Sequence, residues 1–215
     1  MQLISVNRGQ ERAMDNGKPS GKTGIYKLPL EGPVPITTNG LKGDVISDKR
    51  NHGGPDQALY VYGMPDYAWW SAELQSDLSP GTFGENLTIT ELESASLRIG
   101  DRLVIGSVTL EVTSPRIPCI TLARRMEDDA FVKRFTKAER PGVYCRVLQA
   151  GSVQVGDTVF LERCSSETVT VIELMRDFYK PKLTEAAIRR FLAAPIAIRA
   201  RQHKEKQLQN LLASK

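Results

Sequence analysis

The stretch that decides the fold is Arg98-Ile99-Gly100-Asp101-Arg102-Leu103-Val104-Ile105, and Gln154-Val155-Gly156-Asp157-Thr158-Val159-Phe160-Leu161 follows the same plan. Each places an apolar residue before a Gly-Asp turn and then alternates apolar and polar positions. This alternation is typical of a half-buried β-strand. Leu41-Lys42-Gly43-Asp44-Val45 repeats the turn, and residues 108–112 and 143–148 also alternate. Many short strands at this spacing favour a closed or nearly closed β-barrel, because closure removes exposed sheet edges.

The apolar spacing changes after Cys164. Before it, we predict only a few short helices, at 66–75 and 121–133. After it, apolar residues recur three and four apart, which predicts amphipathic helices at 171–178, 184–192 and 197–212. We therefore expect a mainly β fold: a barrel domain over residues 1–163, followed by a small three-helix domain over residues 164–215.

Composition limits the class of protein. The 215 residues are 40% hydrophobic and 25% charged, which is ordinary for a folded chain. No apolar run approaches the roughly 18 residues that a membrane span needs, and the N-terminus lacks the features of a signal peptide. Three widely spaced cysteines form neither a disulfide framework nor a Cys-x-x-Cys site. We expect a cytoplasmic protein that does not engage membranes.

The positive charge is concentrated in the C-terminal tail. The net charge is +4, and residues 165–215 contain ten lysines and arginines against five acids. The first 164 residues are therefore close to neutral, and a general nucleic-acid-binding surface is not supported. Basic helices in the tail could engage nucleic acid, but ordinary solvated helices explain the same charges, so nucleic acid is not an expected partner.

One cysteine stands in an unusual setting. Ser114-Pro115-Arg116-Ile117-Pro118-Cys119 places a thiol behind two prolines and an arginine, just before a predicted helix at 121–126. The helix N-terminus and the guanidinium both favour the thiolate, which attacks electrophiles and binds soft metals. Alternatively, Cys119 is a small buried hydrophobic residue. Cys145 is predicted to be a core strand residue, and Cys164 receives no chemical role.

A glycine-rich loop upstream is a second candidate for ligand binding. In Asn51-His52-Gly53-Gly54-Pro55-Asp56, adjacent glycines can expose backbone N–H groups that form a nest for an anion. His52 could contact a phosphate or a pterin ring, or could cap a turn. Arg116 is either a phosphate clamp or a surface ion-pair partner. Lys18 and Lys22 could reach an anion, although a solvated loop explains them better.

Five motifs follow one another along the chain: Gly40-Leu41-Lys42-Gly43-Asp44, residues 51–59 starting Asn51-His52-Gly53-Gly54, Phe83-Gly84-Glu85-Asn86-Leu87, Ile99-Gly100-Asp101 and residues 114–119. Together they resemble the MOSC domain, the family named after the C-terminal domain of molybdenum cofactor sulfurases. The resemblance covers roughly residues 1–163, and the tail resembles the C-terminal three-alpha domain of a bacterial subgroup associated with resistance to 6-hydroxylaminopurine.

The resemblance implies a MOSC-type β-barrel that binds molybdenum cofactor, a molybdopterin with a phosphate tail. It implies that Cys119 is the molybdenum ligand and the catalytic residue. It further implies reduction of N-hydroxylated bases and hydroxylamines to amines. On this interpretation the pterin or phosphate is held by His52, Gly53, Gly54, Arg116 and Asn86.

Two other functions remain open from the sequence. Cys119 could carry a persulfide for assembly of a metallocofactor, without reductase turnover, and the tail could bind nucleic acid as discussed above. If the chain is a reductase, three cysteines are too few for an iron–sulfur cluster, which typically needs four ligands, and no flavin or dinucleotide fingerprint is present. Electrons would then come from a separate flavin or iron–sulfur reductase.

Overall fold

The computed structural model describes residues 1–15, 21–48 and 52–214. Its main feature is an eight-stranded sheet. The strands are β1 (Leu3–Gly9), β4 (Lys27–Pro29), β7 (Leu59–Gly63), β8 (Leu87–Ile89), β9 (Arg102–Ile105), β10 (Val108–Pro115), β11 (Val143–Gln149) and β13 (Val159–Glu162). They follow the order β13-β9-β10-β11-β7-β8-β1-β4, and β7–β8 is the parallel pair.

The sheet curls until β13 meets the start of β1. Gln2 bridges to Thr158, the Leu3 N–H donates to the Asp157 carbonyl at 2.9 Å, and the Val159 N–H donates to the Met1 carbonyl at 3.0 Å. These bonds join the first strand of the order to β1, so the sheet closes into a barrel, with β4 paired to the far end of β1. The expected mainly β fold with a barrel is confirmed.

The two Gly-Asp turns that suggested this fold have the same geometry. Gly100 has φ +89° and Gly156 has φ +95°, values that favour glycine. In each turn the aspartate accepts a hydrogen bond from a backbone N–H three residues earlier: Asp101 from Arg98 at 3.0 Å and Asp157 from Gln154 at 2.8 Å. The strands that follow, β9 and β13, pair with each other.

Smaller elements complete the fold. A three-stranded sheet contains β5 (Val34–Thr37), β6 (Gly40–Leu41) and β12 (Gly151–Val153), and a two-stranded ribbon contains β2 (Arg12–Ala13) and β3 (Lys22–Thr23). The helices are α1 (Met64–Leu74), α2 (Ile120–Arg125), α3 (Phe131–Ala138), α4 (Val171–Tyr179), α5 (Glu185–Ala193) and α6 (Ile198–Ala213). The predicted helix at 66–75 and the three in the tail are confirmed, with ends shifted by one or two residues.

The helix predicted at 121–126 after Cys119 is confirmed as α2, but its continuation to residue 133 is wrong, because α3 is a separate helix. Glu127 has φ +53°, which ends the first helix, and the Asp128 N–H donates back to the Ala123 carbonyl at 3.1 Å. The Asp128 carboxylate then accepts from the Ala130 N–H at 2.8 Å. An aspartate that bonds to the backbone two residues later favours a turn over a continuous helix.

Strand β7 is buried on both faces and separates two hydrophobic clusters. Leu59 and Val61 point into the barrel core, whereas Tyr60 and Tyr62 join an aromatic cluster with Trp70 and other residues of α1, α2 and α3. Because side chains alternate along a strand, one short segment serves both clusters. The three helices thus cover the outside of the barrel near β7.

The tail helices share the barrel's core. Val171 and Leu174 of α4 and Phe191 of α5 belong to the same buried cluster as barrel residues such as Leu103 and Val112. A buried ion pair between Asp177 and Lys204 links α4 to α6. The division of the chain at residues 163 and 164 stays a prediction. Within the described ranges, no helix has both the length and the apolar character needed to cross a membrane.

Candidate functional site

A small cleft brings together residues from both motifs singled out in the sequence. Its volume is about 100 Å³. It opens between the segment after β10, which carries Arg116 and Cys119, and the chain around His52. The remaining lining residues are Lys22, Thr23, Gly24, Ile25, Lys27, Val45, Ile46, Ser47, Asp48, Gly84, Thr121 and Tyr144.

Cys119 occupies the N-cap position of α2. Its backbone is extended, with φ −136° and ψ 172°, and its carbonyl accepts the first helical hydrogen bonds, from Leu122 at 2.9 Å and Ala123 at 3.2 Å. Pro118 precedes it and disfavours a helical conformation for the residue before it. This turn from strand to helix leaves the Cys119 thiol partly exposed in the cleft.

The surroundings of Cys119 favour its thiolate. Burial by itself raises the pKa of the thiol, but a hydrogen bond from His52 and the positive charge of Arg116 lower it. The Leu122 N–H also lowers it, and the net result is a pKa of about 6, compared with an ordinary value of 9.0. At neutral pH the side chain is therefore mainly the thiolate, the form that is nucleophilic and binds metals.

Arg116 is a buried cation beside this thiolate. The residue is 5% exposed, it donates to the Phe83 carbonyl, and its guanidinium lies over the Tyr60 ring at 5.0 Å. Its Nε is buried and has no hydrogen-bond partner among the described residues. The alternative that Arg116 is a surface ion-pair partner is wrong, because its side chain faces the interior of the cleft.

His52 lines the cleft, and the two glycines after it shape the loop. The His52 N–H donates to the Asp48 carbonyl at 3.0 Å. Gly53 is buried with φ +73°, and a Cβ there would lie 2.9 Å from Ile46 Cδ1, so the loop packs closely on a lining residue. Gly54 has φ +88° and is exposed. The cofactor contacts predicted for Gly53 and Gly54 stay predictions, and Asn51 and Lys18 lie outside the described residues.

Asn86 lies behind the cleft. It accepts from the Tyr60 N–H at 3.1 Å and donates to Asp44 Oδ2 at 2.9 Å. Asp44 in turn binds Lys27 Nζ at 2.5 Å in an ion pair whose two side chains are each 7% exposed. Lys27 lines the cleft, so Asn86 acts on it through Asp44. A direct contact between Asn86 and a cofactor stays a prediction.

The Lys27–Asp44 pair is a feature that the sequence analysis missed. Asp44 belongs to a Gly-Asp turn and to the first of the five MOSC-like motifs but is not among the predicted site residues, and Lys27 carries no signal in the sequence. Burial lowers the pKa of Lys27, and the charge of Asp44 opposes that effect. The pair is held further by the Gly9 N–H, which donates to Asp44 Oδ1 at 2.7 Å. The cleft thus has two buried basic side chains, those of Lys27 and Arg116.

Three other predicted residues lie elsewhere. Cys145 is fully buried in β11, as predicted, and burial raises the pKa of its thiol. Cys164 is partly exposed near the start of the tail. The Asp56 carboxylate binds Arg146 at 3.1 Å and accepts from the Ile198 N–H at 2.6 Å, so it fastens α6 rather than lining the cleft.

The cleft is lined by one thiol, that of Cys119, and by three basic side chains, those of Arg116, Lys27 and Lys22. Among residues 1–15, 21–48 and 52–214, no group of three or more His, Cys, Asp or Glu side chains is placed to hold a bare metal ion. A metal that arrives within an organic cofactor needs fewer protein ligands, and the cations suit an anionic group on such a cofactor.

Comparisons with known proteins agree with this arrangement. The model of the MOSC domain matches residues 48–160. The chain is 31% identical to the uncharacterized protein YflK of Bacillus subtilis over 191 residues, covering 89% of this chain and 86% of YflK. It is 37% identical over 141 residues to a protein named reductase from Gibberella moniliformis, covering 64% of this chain but only 25% of that protein.

A solved structure shows the same fold over nearly the whole chain. The crystal structure of YiiM from Geobacillus stearothermophilus superposes with a TM-score of 0.79 at 24% identity, covering 96% of this chain and 98% of YiiM. The matched region of the family model includes His52, Asn86, Arg116 and Cys119. From the motifs, the barrel and these matches together, we conclude that the chain belongs to the MOSC domain family.

Proposed function

We propose that this protein binds molybdenum cofactor in the Cys119 cleft and reduces N-hydroxylated bases and hydroxylamines to amines. The observation that carries the proposal is a thiol with a lowered pKa, hydrogen-bonded to His52 and facing a buried arginine. Membership of a family associated with that cofactor, and a relative named reductase, support an oxidoreductase role. The proposed reaction consumes two electrons and two protons, cleaves the N–O bond and releases water.

The residues in the cleft fit such a cofactor. A soft thiolate suits molybdenum, and Cys119 would be its protein ligand. The buried Nε of Arg116 has an unused hydrogen-bond donor. An anionic phosphate or a pterin oxygen would satisfy this donor, and a planar guanidinium can bind such oxygens with two N–H groups. His52 and Lys22, the latter in an ion pair with Glu11 at 2.9 Å, line the same cleft.

The chain's own groups have separate tasks in this proposal. The cofactor, when bound, supplies the oxygen-atom transfer chemistry. His52 and the Leu122 N–H hold the Cys119 sulfur as the thiolate and fix its position. Arg116 is anchored on the Phe83 carbonyl and the Tyr60 ring, so its orientation is set before a ligand arrives. The ion pair with Asp44 holds Lys27 in place where it lines the cleft.

Electrons are proposed to come from a separate flavin or iron–sulfur reductase. The sequence contains only three cysteines and no dinucleotide fingerprint. We therefore expect that the purified protein alone does not oxidise NADH in the presence of substrate, and that a reductase fraction restores turnover. Rapid NADH oxidation by the isolated chain would contradict this part of the proposal.

The deciding experiment compares Cys119→Ala with the unchanged protein, both made in a host that synthesises molybdenum cofactor. We expect the unchanged protein to contain molybdenum and pterin, to show a Mo(V) electron paramagnetic resonance signal, and to reduce 6-hydroxylaminopurine with a suitable donor. Cys119→Ala should lose the activity while its circular dichroism spectrum and unfolding midpoint stay close to those of the unchanged protein, because the partly exposed thiol contributes little to the core.

A matched control and the competing function fit the same experiment. Cys164→Ala, which alters another partly exposed thiol outside the cleft, should retain both molybdenum and activity. Full activity of Cys119→Ala would refute the proposed role of the thiolate. Protein that lacks molybdenum but carries a persulfide on Cys119, detected by mass spectrometry, would favour the sulfur-carrier function.

A further inference from the structure

The segment that carries Arg116 and Cys119 has a second cavity on its other side. Arg116 and Cys119 line the cleft described above, whereas Ser114, Pro115 and Ile117 line a separate cavity of about 470 Å³. Its floor is formed by the end of β10 and the turn at Gln57, and its walls by α4 and α6. The cavity falls in the size range of small-molecule sites.

Two residues that line this cavity, Ser114 and Gln57, each carry a buried polar atom that has no hydrogen-bond partner among the described residues. The Ser114 hydroxyl is buried in a residue only 8% exposed, and the Gln57 amide oxygen is buried as well. Folded proteins leave few such groups without a partner, so each calls for an explanation. A hydroxyl can donate and accept, whereas an amide oxygen only accepts. A ligand that suits both atoms therefore carries a hydrogen-bond donor for Gln57 and a donor or acceptor for Ser114.

The two buried charged residues of the cavity neutralise each other, whereas Arg199 and His203, which also line it, are exposed. Lys204 is 3% exposed, forms a close ion pair with Asp177 and donates to Gln207 at 3.0 Å. The other oxygen of Asp177 accepts from the Lys182 N–H at 3.1 Å. Because this cation and this anion satisfy each other, the interior of the cavity favours a neutral ligand over an ion.

The walls add an apolar, partly aromatic surface. Leu174, Ile117 and Pro115 contribute buried or half-buried apolar groups, and Phe178 lines the same cavity with 61% of its surface exposed. A planar ring could pack against Phe178 and cover this exposed aromatic side chain. Apolar walls with a few fixed polar groups are the usual composition of a small-molecule site.

We propose that this cavity, which we call the Ser114 cavity (Gln57, Ser114, Ile117, Leu174, Phe178 and Lys204), binds a small neutral nitrogen heterocycle with a ring N–H donor. The site is separate from the Cys119 cleft and does not depend on the proposed reductase function. Its ligand would contact Pro115 and Ile117, the residues on either side of Arg116 in the chain.

Benzimidazole and 1-methylbenzimidazole are suitable probes, because they share the fused ring and the acceptor nitrogen and differ in the N–H donor. We expect isothermal titration calorimetry to show saturable binding of benzimidazole with one site per chain. The methylated compound should bind at least tenfold more weakly, since it cannot donate to Gln57. Absence of saturable benzimidazole binding, or equal affinity for the two compounds, would overturn the proposal.

Variants assign the binding to the cavity. Gln57→Met removes the acceptor while keeping most of the side-chain length, and we expect at least a tenfold loss of benzimidazole affinity. Ala200→Trp fills the cavity from α6 at a half-buried position and should abolish binding. Cys119→Ala alters only the other side of the segment and should leave the affinity unchanged. Unchanged binding in both cavity variants, or loss of binding in Cys119→Ala, would place the ligand elsewhere.

Discussion

The three cysteines show how the surroundings of one residue type set its chemistry. Cys145 is surrounded by the barrel core, and burial raises the pKa of its thiol. Cys119 is partly buried, but His52, Arg116 and the Leu122 N–H offset the effect of that burial and lower its pKa to about 6. Local charge and hydrogen bonding therefore outweigh desolvation at Cys119, whereas nothing outweighs it at Cys145.

This difference predicts the pH dependence of Cys119 alkylation. Iodoacetamide reacts with the thiolate, so the rate at Cys119 should rise with pH through a midpoint near 6 and level off by neutral pH. His52→Ala removes the hydrogen bond to sulfur and should move the midpoint upward, which slows the reaction at pH 7. The rates can be measured by peptide mass spectrometry.

The matched control for this measurement is Cys164, the other partly exposed thiol of the chain. Peptide analysis follows both cysteines in the same sample, so differences in reagent or temperature cancel. A Cys119 midpoint near the ordinary value of 9.0 would show that the cleft does not stabilise the thiolate. A midpoint unaffected by His52→Ala would remove His52 from that role.

At the level of elements, the helix starts differ in how well they are capped. At the start of α4 the Thr170 hydroxyl accepts from the Glu173 N–H at 3.0 Å, and the Glu173 carboxylate accepts from the Thr170 N–H at 2.8 Å. This reciprocal pair is a capping box. At the start of α5 the Thr184 hydroxyl accepts from the Ala187 N–H at 3.3 Å, without a returning acidic side chain.

Removing the two caps should therefore have unequal effects. We expect Thr170→Ala to lower the free energy of unfolding by about 1 kcal/mol, because Ser or Thr caps typically contribute this much. Thr184→Ala should cost less, because its hydrogen bond is longer and lacks the reciprocal partner. Urea denaturation followed by circular dichroism measures both. An equal or larger loss for Thr184→Ala would contradict the importance of the capping box.

In the whole molecule, the barrel and the tail are joined by core packing and by polar contacts. Apolar residues of α4 and α5 share the barrel's buried cluster. Asp56, in the loop after His52, accepts from the Ile198 N–H at the start of α6, and Arg146 of β11 donates to the Pro195 carbonyl at 3.1 Å. Separation of the tail would expose apolar surface and leave these groups without their partners.

This coupling predicts a single cooperative unfolding transition. Both tryptophans, Trp69 and Trp70, lie in α1 on the barrel and report on it by fluorescence. Far-ultraviolet circular dichroism reports largely on the helices, of which α4, α5 and α6 form the greater part. We expect the two signals to change at the same urea concentration. A helical transition that clearly precedes or follows the fluorescence change would show that the tail folds independently.

The sequence by itself determined what depends on neighbours along the chain. Period-two alternation and the Gly-Asp turns predicted β9 and β13 because these patterns fix backbone geometry and the face that each side chain occupies. The Arg116–Cys119 segment likewise indicated a thiolate at Cys119 as one of two alternatives, the other being a small buried hydrophobic residue. The sequence failed at residues 126–130, where a local turn interrupts an apolar pattern that suits a helix.

Only the tertiary structure decided which distant residues meet. Closure of the barrel sets His52 against Cys119 and buries Lys27 on Asp44, and it places Asn86 behind that pair instead of in the cleft. Docking of α4 and α6 creates the Ser114 cavity on the opposite side of the same segment. Such contacts depend on strand order and helix docking, which periodicity does not encode, because a strand or helix pattern specifies an apolar face but not the element that covers it.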